Sequence, residues 1–303
     1  MNWTALRISL IGTESRSPIP SRVKLPILPL AVTKFSKRAD DPNATATELG
    51  KIIETDSGLT CELLRYVNSS ARGMSQKAKS AQQAVALVGV TECRLYLLTK
   101  AVERALRSQE SKMIDLRSFW TNSLERALFA RHVARLLKTD TEVAFAGAML
   151  QDFLLPSLTN DLFPTYRKFT ENQDDDPIDL HQFEQKTQRW DHAEAAAQLM
   201  FGWGFPDELI CCVLLHHRGL KLLNNKQLGR TPVAAVAVSS LMPDAFRQVA
   251  GGMEQLIALE SKWAAFDLLK AAMQVDRDFQ ELSPAGEKPF SFLRCCRIAT
   301  SVA

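Results

Sequence analysis

Trp120 to Phe153, WTNSLERALFARHVARLLKTDTEVAFAGAMLQDF, decides the fold. Leu124, Ala127, Leu128, Val133, Leu136 and Leu137 recur at the three-and-four spacing of a long amphipathic helix. Thr139 and Glu142 then have the spacing of a capping box for a second helix, which runs towards Asp152. No window of the chain sustains the period-two alternation of a half-buried strand, so an all-α fold is expected.

The same grammar extends towards the N-terminus. Residues 1–23 read as irregular, and Lys24-Leu25-Pro26-Ile27-Leu28-Pro29 opens the packed part with two rigidifying prolines. Thr45-x-x-Glu48 is a capping box ahead of Leu49, Ile52 and Ile53. Asp56 is placed to cap the helix carrying Leu59, Leu63, Leu64 and Val67. Ser80-x-x-Gln83 starts the next helix and Gly89 stops it, and Leu95 to Leu106 continues with helical spacing. Asn68 is read as a turn or capping residue. The polar segment 108–118 reads as a join between subdomains.

Towards the C-terminus, 156–180 holds three prolines and Asp174-Asp175-Asp176, and reads as an exposed connection with some helix. Asp191-x-x-Glu194 begins a helix rich in alanine. Gly204-Phe205-Pro206 breaks it and starts another, ending near His217. Thr231-Pro232 has the cap-then-proline signature of a further start. Two last helices are expected over 252–276 and 290–302. Trp120 and Trp203 are expected in the core.

Composition sets outer bounds on function. The 303 residues are 46% hydrophobic and 23% charged, ordinary for a globular protein. Lys and Arg number 37 against 34 Asp and Glu, a net charge of +3, too balanced to point to nucleic acid. No apolar run approaches the roughly 20 residues that span a bilayer, and the first residues carry no secretory pattern. Cys61, Cys93, Cys211, Cys212, Cys295 and Cys296 form no Cys-x-x-Cys, and are read as reduced core residues of a cytoplasmic protein. No P-loop, dinucleotide fingerprint or serine-nucleophile elbow is present.

In the first half, Lys24–Pro29, Ile53-Glu54-Thr55-Asp56-Ser57-Gly58-Leu59-Thr60, Leu63-Leu64-Arg65-Tyr66-Val67-Asn68-Ser69-Ser70 and the helix from Ser80 to Gly89 together resemble the HDOD domain. This is a signalling relative of the HD-type phosphohydrolases of bacteria. Trp120 to Asp152, Asp191 to Pro206, and His216-His217 carry the resemblance onward, so that it covers roughly 22–245. It implies an all-helical domain over 22–245, with an N-terminal helical subdomain at 22–107 and a degenerate HD-like bundle at 118–245. Residues 1–21 would be an arm and 246–303 a C-terminal helical extension.

In active HD enzymes an early His, a His-Asp pair and a later Asp hold a metal that lowers the pKa of bound water. The resemblance places Asn122, Gln151-Asp152 and Ser240 at these positions. Only Asp152 keeps a ligand of the active set, since Asn, Gln and Ser supply neither imidazole nor negative charge. This implies a non-catalytic regulatory module that binds a protein partner, or a small-molecule or nucleotide ligand, with no cofactor. His192, His216 and His217 resemble positions that bind further ions in some metal-dependent relatives. With Asp152 they leave room for a residual divalent-metal site, and with it the rival reading of a divergent phosphohydrolase. The structural alternative is that His192 supports a helix start and that His216 and His217 close a helix C-terminus. Adjacent helical side chains diverge by about 100°, which argues against His216 and His217 facing one ion. His132 and His181 have no partner spacing and no assigned role.

Overall fold

The computed structural model describes residues 1–14, 17–69, 76–107, 111–173, 177–282 and 291–302. Asp174-Asp175-Asp176, Ser70 and the start of the 108–118 join lie outside the described residues. Every regular element among the described residues is helical. The chain forms two compact units. One comprises Met1–Leu25, Gln109–Gly202 and Pro206–Ala303, and the other Pro26–Ser108 with Trp203–Phe205. The irregular segment expected over 1–23 instead carries helix α1, Trp3–Ile11, capped by the Asn2 side chain. Arg7 explains its docking: it is buried, pairs with Asp207 at 2.8 Å and stacks on Phe201.

The smaller unit holds α2 (Leu30–Ala39), α3 (Ala46–Ile53), α4 (Ser57–Val67), α5 (Ala81–Val88) and α6 (Val90–Arg107). Its caps follow the sequence. Thr45 Oγ1 accepts from Glu48 N, and Glu48 Oε2 accepts from Thr45 N, a complete capping box. Asp56 accepts from Leu59 N at 3.0 Å. Ser80 accepts from Gln83 N, but Gln83 Oε1 reaches one residue further back, to Lys79 N. Gly89, at φ 87°, closes α5 in a region that favours glycine. A Cβ at Gly50 would stand 2.6 Å from the Gln82 backbone, so α3 and α5 meet there backbone to backbone. Leu49, Ile53, Leu59, Leu63, Val67 and Leu97 fill the core, each contributing about 1.5–3 kcal/mol by burial. Asn68 Nδ2 donates to Ala78 O at 2.8 Å, and Ala78 N donates to Asn68 Oδ1 at 2.7 Å. Trp203 is half-buried rather than core, beside Phe205.

The larger unit is built around two helices that are apolar on all sides. These are α8 (Thr141–Leu150) and α14 (Pro232–Ser239), and every residue of α14 is buried. The long α7 (Leu116–Leu137) packs along both. It starts four residues earlier than Trp120, because Asp115 caps it by accepting from Ser118 N. Asp140, not Thr139, caps α8, accepting from both Glu142 N and Val143 N. Asp is the stronger N-cap, sits one residue nearer the first turn, and takes the place of the Thr hydroxyl. Gly147 lets α13 (Asp207–Leu214) close on α8, since a Cβ there would lie 2.7 Å from Cys212 Cβ.

The 156–180 connection carries α9 (Leu155–Asp161) and α10 (Phe163–Asn172), each opened by a proline. Then come α11 (Leu180–Gln188), α12 (His192–Gly202) and, after α13, a 3-10 segment over His216–Leu222. The helix expected over 252–276 is two helices, α15 (Gly252–Glu260) and α16 (Leu268–Leu282), and α17 (Phe292–Val302) packs on α16. The break falls in a short non-helical stretch that ends with Leu268 N donating to Glu260 Oε1. Of the cysteines, Cys61 is exposed and Cys295 half-buried, so these two depart from the expected core placement, and none of the six forms a disulfide.

Candidate functional site

Asp152 is the centre of the larger unit's polar interior. It follows α8 directly, with Gln151 as the C-cap, and it is 3% exposed. A carboxylate so placed needs compensation, because an unpaired buried charge costs several kcal/mol. The compensation comes from α7. Arg126, on the face that buries Ser123, Ala127 and Ala130, donates from Nη1 to Asp152 Oδ2 in a short hydrogen bond. Its Nη2 donates to Asp244 Oδ2 at 2.7 Å and to Met242 O at 3.3 Å. Gln151 Nε2 and Gln248 Nε2 each donate to Asp152 Oδ2 at 3.2 Å. Burial pushes the Asp152 carboxyl up, but the Arg126 charge and the facing imidazoles of His192 and His216 hold it well below the usual carboxylate range. Asp244 shares the same guanidinium but is raised by burial, which Arg126 offsets only in part.

The other oxygen, Oδ1, faces histidines. His192 Nε2 stands 3.3 Å away and His216 Nε2 3.4 Å, and Oδ1 receives no well-formed hydrogen bond. Both rings are oriented from behind. His192 Nδ1 lies 2.7 Å from Glu184 Oε2, which also accepts from the His192 backbone N, while Tyr166 OH donates to Glu184 Oε1 at 2.6 Å. His216 Nδ1 lies 2.6 Å from Val213 O. Burial lowers the His192 pKa, but the negative charges of Glu184 and Asp152 prevail and carry it to about 10. His217 completes the group, with Nε2 3.0 Å from His192 Nε2. Burial, and then the neighbouring imidazoles, hold the His217 pKa well below its ordinary value. The His181 ring stacks on His217, with centroids 4.5 Å apart.

The expected divergence of His216 and His217 does not occur. They lie in the 3-10 segment beyond α13, where Gly219 takes φ 52° and turns the chain, and their ring centroids are 3.7 Å apart. The ligating atoms of His192, His216 and His217 all lie within 4.8 Å of one another. Asp152, Gln151, His192, His216 and His217 are thus brought together. Asn122 and Ser240 are not among the groups on Asp152. Asn122 is half-buried on α7, one turn before Arg126. Ser240 Oγ donates to His216 O at 2.8 Å and Ala237 O at 2.9 Å, tying the 3-10 segment to α14. Arg126, Glu184, Tyr166, Asp244 and Gln248 enter without a motif to mark them. The one local signal is a charged residue inside a buried stripe: Arg126 beside Ala127 and Ala130, and Glu184 one turn after Leu180.

These residues do not fit a hydrolytic ion held between the HD positions. The oxygen of Asp152 on that side is occupied by a guanidinium and two amides, and Asn122 and Ser240 do not reach it.

Comparisons with known proteins agree with this fold. An uncharacterized protein of Treponema pallidum (strain Nichols) is 23% identical over 215 residues, 70% of this chain. The match spans only 41% of that relative's length. A crystal structure from Shewanella amazonensis SB2B, provisionally named a phosphohydrolase, superposes with a TM-score of 0.63 at 20% identity, over 85% of this chain and 92% of that one. One from Marinobacter aquaeolei VT8, provisionally named a signal transduction protein, gives 0.54 at 18% identity, over 99% of this chain and 65% of that one. No helix among the described residues is long and apolar enough to cross a membrane. The HDOD domain model matches residues 25–219, well over half of the sequence, and the chain belongs to the HDOD domain family.

Proposed function

We propose that this chain is a non-catalytic signal-transduction module, whose output is binding of a protein partner or a small nucleotide-like ligand. One observation carries the reading. Arg126 serves as an internal cation on the carboxylate that HD-type hydrolysis assigns to metal. A guanidinium neutralises Asp152 and bridges it to Asp244, but it lends no coordination site to water and generates no hydroxide. With the pair 5% and 2% exposed at their side chains, an ion approaching Asp152 Oδ2 would have to displace a buried guanidinium.

The divergent-hydrolase reading draws on the histidine cluster beside Asp152, and both readings face the same assay. Purified protein supplied in turn with Mg2+, Mn2+, Fe2+ and Zn2+ is expected to show no turnover of nucleotides, phosphate monoesters or cyclic dinucleotides. Metal-dependent turnover that is lost in Asp152→Ala or His216→Ala, with the fold intact by circular dichroism, overturns the regulatory reading.

A further inference from the structure

We infer that His192, His216, His217 and Asp152 form a closed site for one divalent transition-metal ion of the zinc type. The argument starts from what each atom can offer. Val213 O only accepts, so His216 Nδ1 carries a hydrogen and Nε2 is the ring atom left to ligate. Glu184 fixes the His192 tautomer in the same way. With these rings deprotonated at Nε2, as ligation requires, both Nε2 atoms face Asp152 Oδ1, itself an acceptor, and His217 Nε2 faces His192 Nε2. Without an ion, a hydrogen on His217 or His192 satisfies one contact at a time and leaves the His216 Nε2 contact with Asp152 Oδ1 unmet. A proton serves one pair, whereas a metal ion serves all four. The buried Asp152 Oδ1 and His216 Nε2 have no other hydrogen-bond partner.

The distances fit. A tetrahedral ion with bonds of about 2.0–2.1 Å separates its ligand atoms by about 3.3–3.4 Å. The structure has His192 to Asp152 at 3.3 Å, His216 to Asp152 at 3.4 Å and His192 to His217 at 3.0 Å. Imidazole nitrogen with one carboxylate oxygen selects zinc or a similar borderline ion over magnesium or calcium. Asp152 can serve both neighbours because they use different oxygens: Arg126 takes Oδ2, and Oδ1 faces the histidines. Four protein ligands leave no open position for water, the pattern of a structural rather than a hydrolytic ion. The ion would tie together the start of α12, the end of α8 and the 3-10 segment after α13. Glu184 is a positioning residue here, holding the His192 ring.

The test reads occupancy rather than turnover, so it is independent of the regulatory reading. The full chain, stripped with chelator, is titrated with Zn2+ and with Co2+. One ion per chain, a raised melting temperature and a four-coordinate Co2+ visible spectrum are expected. The double variant His216→Gln/His217→Gln should lose the Co2+ spectrum, and Glu184→Gln should weaken binding about 10- to 100-fold. His132→Gln, remote from the cluster in sequence, should bind as the wild type does. Since the double variant could fail to fold, X-ray absorption of Zn2+-loaded wild type is the second measurement. Three imidazole ligands are expected, and two or fewer overturn the inference. So does a folded wild-type chain that takes up no ion, or a Co2+ spectrum unchanged in the folded double variant.

Discussion

Replacing Arg126 by Met removes the guanidinium while keeping most of the volume, and strips Asp152 Oδ2 and Asp244 of the counter-charge they share, leaving Asp152 only the histidines on its Oδ1 side. Arg126, Asp152 and Asp244 are 5%, 2% and 8% exposed at their side chains, so water cannot take over. Breaking a buried pair from one side costs about 3–5 kcal/mol, and here two carboxylates lose one partner, which places the loss at the upper end. For a cooperative unit of roughly 150–250 residues each kcal/mol moves the melting temperature by about 2–4 °C, giving a fall on the order of 10–20 °C. Urea denaturation followed by circular dichroism measures it directly. The triple variant Arg126→Met/Asp152→Asn/Asp244→Asn removes charge from all three and should regain most of the stability, because no uncompensated buried charge remains. An Arg126→Met protein within about 1 kcal/mol of wild type would refute the reasoning, as that margin belongs to solvent-exposed pairs.

Three other perturbations probe the rest of the chain. Asn68→Ala removes both bonds to Ala78 and leaves that backbone pair unsatisfied, so a loss of about 1–3 kcal/mol is expected; Asn68→Asp should keep the acceptor half and lose less. His132 has its pKa lowered by burial and then by Arg135, so between its folded pKa and the ordinary value the unfolded chain binds the proton. The stability it contributes is present above about pH 6.5 and is lost as pH falls; the stability difference between wild type and His132→Gln should shrink on acidification, and a difference constant from about pH 8 to about pH 5 contradicts this. Cys61 is exposed, whereas burial pushes Cys211 and Cys296 to about 12 and raises Cys212 well above its ordinary value. Mass spectrometry after brief alkylation of the native chain should therefore find Cys61 labelled and those three untouched until unfolding; early labelling of Cys212 would mean that α8 and α13 do not pack as described.

Much of the site was half visible in the sequence. Gln151-Asp152 and His216-His217 are adjacent pairs, and the HD resemblance singled both out. What misled was extrapolation along helices. The 100° rule separated His216 from His217, but it holds only inside an α-helix, and the chain leaves α13 at Leu214. Counting from the HD pattern reached Asn122 and Ser240, while the side chain on Asp152 comes from Arg126, one helical turn along the same α7. Ser240 points back into its own backbone and to His216 O, a common end for a hydroxyl near a helix C-terminus.

The sequence by itself determined the all-helical class and the caps at Thr45, Asp56 and Ser80. Each of these depends on groups within about four residues, where backbone hydrogen bonds and periodic burial are local. Only the tertiary structure decided what compensates Asp152. Its partners Arg126 and Gln248 lie 26 and 96 residues away, and Arg126 in turn reaches Asp244 across 118. A buried charge is satisfied by whichever side chain the crossing of helices brings within about 3 Å, and that crossing is set by the packing of the whole core.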